Sequence, residues 1–317
     1  MAKKVSIVVS AYNEEKNLGP LYEQIVGQLK SVDVDYEIIL VNDGSSDKTL
    51  NKALEIRKTN PKFKVLNFRR NYGHELAMTA GMDYASGDAV IFMDADLQHP
   101  PELIPKMSDA WINNYKIVLT IRDKNYDVST FHKINTFAYT RIFNQLSDVE
   151  LLRNSPDFRL IDRSYVDFLK KFREGGRLFR GLLGLIIGHD SEEVYLLHFD
   201  APKRIHGKTK YNFVKKIRLA LDSIIQFSIV PLRLATYLGI IAIVFSMFLA
   251  GFVVIEYFVY NRPSTGYSTI MVTMLFLGSV QLISLGIIGE YIGKIHLEVK
   301  KRPLYLADFF DDNNERR

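Results

Sequence analysis

Short apolar runs alternating with helix-length amphipathic segments fill roughly the first 120 residues, and few folds accept that rhythm. Val5 to Ser10 is apolar and β-branched, and Glu14 to Leu29 follows with Leu18, Leu21, Ile25 and Leu29 at helical spacing. The pair recurs: Tyr36 to Val41 with Asp47 to Thr59, Phe63 to Phe68 with His74 to Ala85, Ala89 to Met93 with Glu102 to Asn113, then Ile117 to Thr120. Strands separated by helices need right-handed crossovers, which implies an α/β domain with a mostly parallel sheet and helices on both faces. The first apolar run is too short for a signal peptide and soon meets Asn13, Glu14 and Glu15, so this domain is expected in the cytoplasm.

Open α/β sheets bind ligands beyond the carboxyl ends of their strands. The turn after the first strand, Ser10-Ala11-Tyr12-Asn13-Glu14, is neither a Gly-x-Gly-x-x-Gly turn nor a P-loop, which disfavours both common nucleotide folds. The run Val90 to Met93 ends in Asp94-Ala95-Asp96-Leu97-Gln98-His99-Pro100-Pro101, with two carboxylates and an amide at alternate positions. Hard oxygen ligands of this kind suit Mg²⁺ or Mn²⁺ carrying a diphosphate, although two aspartates two apart also occur in ordinary turns. In Val41-Asn42-Asp43-Gly44-Ser45-Ser46-Asp47, Asp47 can cap the next helix and Gly44 can turn the chain. Asp43 has no such duty: it either closes an Asx turn or accepts from the imide N–H of a base, with the Tyr12 ring stacked on that base.

Taken in order, Ser10 to Glu15, Val41 to Asp47, Asn71-Tyr72-Gly73-His74 through Gly87-Asp88, and Asp94 to Gln98 resemble the inverting nucleotide-sugar glycosyltransferases of the large second family. The resemblance covers roughly residues 1 to 230 and implies an A-type glycosyltransferase domain. It places Tyr12, Glu14, Val41 and Asp43 around the nucleoside and Asp94, Asp96 and Gln98 on the metal diphosphate, with Ala95, Arg122 and Lys208 among the nucleotide-sugar contacts. Ser10 departs from the proline frequent at its position.

Asn154 to Arg163, with Phe158 and Leu160 alternating as in a strand after Pro156, resembles the acceptor-facing segment of polyprenyl-phosphate glycosyltransferases, including dolichol-phosphate mannose synthase. That similarity makes Asp157 catalytic and Arg159 and Arg163 acceptor contacts; without it the segment is a surface turn with an exposed ion pair. Lys203 to Arg218 holds seven bases and no acid. Within it, Arg204-Ile205-His206-Gly207-Lys208-Thr209-Lys210-Tyr211 is similar to the basic segment that closes on the diphosphate. The match assigns Arg204 and Lys210, with Asp96, to the catalytic set, since Arg can clasp phosphate oxygens and Lys can serve as a point charge. No nucleic-acid recognition motif accompanies the patch.

From Tyr211 to Gln226 apolar and basic residues separate onto opposite sides of a helix, an interfacial pattern. Leu234 to Tyr257 and Ile270 to Gly289 follow, about 36 and about 30 Å long as helices, enough to cross a hydrocarbon core of roughly 30 Å. The connector carries only Arg262 while Lys294, Lys300, Lys301 and Arg302 flank the far side, so both termini are expected in the cytoplasm. The expected layout is a catalytic domain over 1–210, an interfacial helix over 211–230, a plasma-membrane hairpin over 231–296 with spans near 234–257 and 270–292, and a cytoplasmic tail over 297–317, frayed from Asp308.

The absence of cysteine from all 317 residues removes thiolate chemistry and disulfides. What remains is an enzyme facing a phosphate headgroup at the bilayer surface. The resemblance lies closest to bactoprenol-type glucosyltransferases and implies inverting, metal-dependent hexosyl transfer from a UDP-sugar, UDP-glucose, to undecaprenyl phosphate for cell-envelope glycans. A processive polysaccharide synthase is the runner-up, weakened because the single tryptophan, Trp111, stands far from any Gln-x-x-Arg-Trp pattern. A membrane scaffold that binds nucleotide or anionic lipid without catalysis is the third reading, and a homo-oligomer is left open.

Overall fold

The computed structural model describes residues 3–125, 141, 143–147, 152, 154–187, 191–202, 225–226, 228–260 and 266–310. The chain forms two compact units, one from Met1–Asn144, Val149–Ile217 and Pro303–Arg317, the other from Gln145–Asp148 and Arg218–Arg302.

The first unit alternates as the sequence implies: β1 Lys4–Ala11, α1 Leu18–Leu29, β2 Asp35–Asn42, α2 Thr49–Thr59, β3 Phe63–Phe68, α3 His74–Tyr84, β4 Ala89–Asp94, α4 Leu103–Ile112 and β5 Ile117–Asn125. It continues with β6 Arg159–Asp162, α5 Arg163–Leu169, α6 Phe179–Ile186 and β7 Val194–Ala201. β-branched residues suit β1 because both its faces are covered. Val5, Ile7 and Val9 join one core with Leu18, Leu21 and Ile25 of α1 and Ile104 and Met107 of α4. On the other face Val8 meets Gly81 of α3 so closely that a Cβ there would collide with it.

The eight strands run in the order β7-β5-β6-β4-β1-β2-β3-β8, where β8 is Ala307–Phe310. β4, β1, β2 and β3 are mutually parallel, whereas β6 lies antiparallel between β4 and β5. That inserted strand sets Arg159 opposite Phe92, near the carboxyl end of β4, and Asp162 opposite Ala89 at the amino end. β5 also runs beyond the expected Thr120, because β7 pairs with it in parallel as far as Asn125. Arg122 is therefore a strand residue.

The tail expected to fray from Asp308 pairs with β3 as antiparallel β8 as far as Phe310, and residues 311–317 lie outside the described residues. The tail's apolar members explain this. Phe309 is buried against Tyr84, 4.5 Å between ring centroids, and the Tyr305 hydroxyl donates to Asp83 at 2.7 Å.

In the second unit, α7 Val230–Tyr260 and α8 Tyr267–Val299 are longer than the expected spans and long and apolar enough to cross a membrane. Their large apolar side chains are mostly exposed, which is the pattern of helices made for lipid rather than for a soluble core. Phe245 and Phe276 meet edge to face between them at 5.5 Å, and the Tyr291 hydroxyl donates to the Ser228 carbonyl at 2.6 Å. The expected interfacial helix falls almost wholly outside the described residues.

Candidate active site

β1 and β4 end side by side, with Ser10 paired to Asp94, and α3 begins just across from them. The Asp94 carboxylate accepts from the Ser10 hydroxyl at 2.8 Å and lies 3.2 Å from His74 Nδ1, while Ser10 Oγ is 3.0 Å from the same imidazole nitrogen. Ser10, in the place where proline is frequent, thus holds the first acid of the Asp-x-Asp pair. Beyond it, Asp94, Asp96 and Gln98 are half-buried whereas Ala95, Leu97 and His99 point into the core, so the three expected ligands share one side of the loop. Leu97 sits at φ 61°, a left-handed conformation unusual for a leucine, and Asp96 accepts from the Gln98 N–H at 3.1 Å. Two carboxylates and an amide of hard oxygens fit Mg²⁺ or Mn²⁺ completed by diphosphate oxygens and water. Among the described residues no cluster of three or more His, Asp or Glu side chains could hold a metal ion by itself.

The sequence reading missed two histidines. The Asp94 N–H donates to His99 Nδ1 at 2.9 Å, and the buried ring stacks on Phe158, which locks the loop from beneath; burial holds this imidazole below its usual range. Arg122 Nη2 lies 3.1 Å from His99 Nε2, which brings the expected nucleotide-sugar contact to the Asp94 loop. Burial lowers the Arg122 guanidinium, and Asp96 and Asp94 oppose that.

His74, the first residue of α3, spans from Asp94 to Asp157 Oδ2, which is 3.3 Å from its Nε2. Burial pushes its imidazole down, but the Asp94 and Asp157 carboxylates outweigh that and raise it to about 10. In return, burial would push Asp94 up, and the two imidazoles hold it below the usual carboxylate range. His74 stood inside a quoted motif, and its position at a helix start was the available signal.

Asp157 is not on a surface turn. It is 8 % exposed, contacts Arg159 Nη2 directly and lies 3.4 Å from Arg180 Nε. Burial alone would raise its carboxyl, yet Arg180 and then Arg159 hold it well below the ordinary value. Arg159 is 2 % exposed and also donates to the Pro156 carbonyl at 3.0 Å. Arg180, on α6, donates to the Ser155 carbonyl at 3.3 Å. It is a lone charge in the apolar run Phe179 to Ile186, with no pattern to announce it.

Arg163 is displaced from this cluster. Because β6 runs antiparallel to β4, its far end carries Arg163 to the amino edge of the sheet, four residues or roughly 13 Å beyond Arg159. There its Nε donates to the Gly87 carbonyl at 2.8 Å and its Nη2 to the Ala85 carbonyl at 3.0 Å. It ties down a turn there, away from Asp157.

At the expected nucleoside end, Tyr12 is 39 % exposed. Glu14 accepts from the Asn17 side chain at 2.6 Å. Asp43 does have a structural duty: its carboxylate accepts from the Tyr72 N–H at 2.6 Å and the Gly73 N–H at 2.9 Å, pinning the β3–α3 loop. Burial raises that carboxyl against the pull of those two N–H groups. Val41 and Ala95 are both buried, Val41 against Gly81 of α3, and offer a ligand no side-chain surface. Asp47, expected to cap α2, stands one residue before its Lys48 N-cap and accepts from the Thr49 N–H at 3.0 Å. Arg204, Lys208 and Lys210 lie outside the described residues.

Residues 6–169 match glycosyl transferase family 2, and residues 230–295 match the GtrB C-terminal hairpin. An uncharacterized glycosyltransferase of Synechocystis sp. is 41% identical, with 97% of this chain and 95% of that protein covered. A prophage-derived bactoprenol glucosyl transferase of Shigella flexneri is 37% identical over 96% of this chain and 97% of its own length. Among solved structures, glucosyl-3-phosphoglycerate synthase from Mycobacterium tuberculosis with UDP superposes at a TM-score of 0.48 with 18% identity, covering 70% of this chain and 78% of that one. A likeness that loose carries no chemistry across.

Proposed function

The chain belongs to glycosyl transferase family 2, and from that membership we propose that it transfers glucose from UDP-glucose to undecaprenyl phosphate with inversion at the anomeric carbon. The observation that carries the reading is the meeting of the Asp94 and Asp96 loop, through His74, with Asp157 and its two arginines at the carboxyl ends of the strands. A metal-diphosphate side and an anion-attracting side then face each other across one imidazole.

In this reading Asp94, Asp96 and Gln98 hold Mg²⁺ or Mn²⁺, whose charge would neutralise the departing diphosphate. Tyr12 and Glu14 border the nucleoside, and Arg122 reaches the sugar diphosphate. By the family resemblance, Arg204, Lys208 and Lys210 would supply charge to the phosphates. The acceptor phosphate has a second pKa of roughly 6 and presents an anionic oxygen without help, so no protein base is required. That oxygen attacks the anomeric carbon as the bond to the diphosphate breaks on the opposite face, and UDP leaves. Asp157, flanked by Arg159 and Arg180, aligns the cations that steer the incoming phosphate. α7 and α8 cross the plasma membrane as a hairpin, with both termini on the cytoplasmic side by the positive-inside bias of Lys294, Lys300, Lys301 and Arg302.

The test is transfer of radiolabelled glucose from UDP-glucose into undecaprenyl phosphate by the full chain in liposomes, with and without chelator. Asp96→Ala is expected to lower transfer by about a hundredfold or more, the scale of losing one charge-stabilising group at the leaving phosphate. Full activity in chelator, or in that variant, would overturn the metal assignment.

A further inference from the structure

After α8 the chain runs through Lys300-Lys301-Arg302-Pro303-Leu304 and then pairs Ala307 with Phe68 and Asp308 with Asn67 along the edge of β3. Its side chains hold two elements at once. Tyr305 stacks on the buried Phe68 at 5.3 Å between ring centroids, and its hydroxyl donates to Asp83 near the end of α3. Arg173 holds the same carboxylate with two bonds of 2.7 and 2.9 Å, so the hydroxyl meets an acceptor already fixed in place. Phe309 packs on Tyr84, the next residue of α3. Residues 69–73 join β3 to α3, and they are therefore clamped through both of the elements that carry them.

That segment orders the Asp43 carboxylate. Phe68 meets the Tyr72 ring edge to face at 5.3 Å, and the N–H groups of Tyr72 and Gly73 donate to Asp43. Asn71 Nδ2 donates to the Asp43 carbonyl at 3.3 Å, and the Arg70 and Asn71 backbone lies so close to Gly44 that a Cβ there would collide with it. A second tie runs through the strand, because Asn67, opposite Asp308, accepts from the Asn42 side chain at 2.7 Å. A carboxylate held by two backbone N–H groups follows the backbone that carries them. A shift of about 1 Å then takes any hydrogen bond it offers a ligand out of range.

We propose that Tyr305, at the head of this strap, is a positioning residue for nucleotide binding: by fixing Phe68 and the end of α3 it sets residues 69–73, and with them the direction in which Asp43 is offered to the base. This role rests on the reading of the Asp43 end of the sheet as the nucleoside pocket. Tyr305 acts through Phe68, Tyr72 and Asp43 rather than by contact with the nucleotide. Because coupling between two sites is reciprocal, bound nucleotide tightens the strap by the same factor. The segment that leaves α8 is thereby a part of the nucleotide site, although it stands more than 200 residues from Asp43 in sequence.

The test uses the full chain in detergent with UDP and Mg²⁺ as the probe. Tyr305→Ala, which removes both the stack and the hydroxyl, is expected to weaken UDP binding about tenfold by calorimetry and to raise the UDP-glucose KM by a similar factor, with kcat and the undecaprenyl phosphate KM within about twofold. Tyr305→Phe keeps the ring on Phe68 and should recover most of that loss. In the parent protein, saturating UDP should slow amide exchange in β8 at least about threefold more than in β7, the strand at the other edge of the sheet, which separates a coupled strap from stabilisation of the whole unit. The exchange measurement needs no variant and decides the matter even if Tyr305→Ala fails to fold. A Tyr305→Ala chain that melts earlier but binds UDP as the parent does would overturn the role, as would equal slowing in β7 and β8, or a loss confined to kcat or to the acceptor KM. If UDP binds with the expected dependence on Tyr305 but no sugar reaches the lipid phosphate, the strap stands and the transfer reading fails; if the parent binds no UDP, both fall.

Discussion

Asp157→Asn isolates the charge of one buried carboxylate without changing its shape. The native side chain faces Arg159, Arg180 and His74. Arg180 is 41 % exposed and can turn to water when the charge is lost, but Arg159 is 2 % exposed and cannot deprotonate. Removing one partner of a buried ion pair costs ~3–5 kcal/mol because the other charge is left uncompensated. At roughly 2–4 °C per kcal/mol for a unit of this size, the thermal midpoint should fall by about 6–20 °C. The single Trp111, buried and donating to Asp162 at 2.8 Å, reports unfolding of this unit by its fluorescence. Removing both charges in Asp157→Asn/Arg159→Met should recover most of the loss, since exchanging a whole buried pair for apolar volume is often neutral. A single variant within about 1 kcal/mol of the parent, or a double variant worse than the single, would refute the buried-pair reasoning. The same variant tests the chemistry. A carboxyl held well below its ordinary range by Arg180 and Arg159 is a poor proton acceptor at neutral pH. The acidic limb of turnover should therefore persist in the residual activity of Asp157→Asn, as a property of the acceptor phosphate; its disappearance would make Asp157 the base.

Three further outcomes are expected. Burial would raise the Glu37 carboxyl, but Lys64, Ser6 and Ser86 bring it down to about 2, with Lys4 also 3.2 Å away. A lowered pKa stabilises the fold above the unfolded value of 4.5 and loses that contribution as pH falls toward 2, about 3 kcal/mol in all, so Glu37→Gln should flatten acid unfolding over that window; an unchanged acid transition would contradict it. Ending the chain at Arg302 removes β8, uncovers the Val65 to Phe68 edge and should lower the thermal midpoint and promote association through the bared strand, which light scattering would detect. Gly44→Ala should destabilise the β2–α2 turn, because Gly44 sits at φ 63° and its added Cβ would collide with the Arg70 and Asn71 backbone; a melting temperature equal to the parent's would show that the loop yields instead.

Composition and period determined a great deal on their own. The alternation of β-branched runs with helical spacing was enough for the parallel core of β1 to β4, because a strand buried on both faces leaves an almost unbroken apolar run. The length and apolarity of α7 and α8 were equally legible, since no tertiary contact is needed to make a helix of that composition suit lipid. The alternation at Asp94, Asp96 and Gln98 was legible in the same way, since these three are half-buried while Ala95, Leu97 and His99 between them are buried.

Tertiary structure alone decided what depends on strand direction and on distant partners. β6 enters between β4 and β5 antiparallel, and that one reversal keeps Arg159 at the site and sends Arg163 to the opposite edge, although four residues separate them in sequence. β8 is only four residues long, so its pairing with β3 depends on Tyr84 and Asp83 receiving Phe309 and Tyr305. Arg180 carries no local signature, and the helix start that marked His74 did not announce its partner, because for both the significance comes from Asp157, 23 and 83 residues away respectively. Sequence periodicity records which face of an element is buried; it does not record which charges the fold brings to that face, because Coulomb energy depends on separation in space and not along the chain.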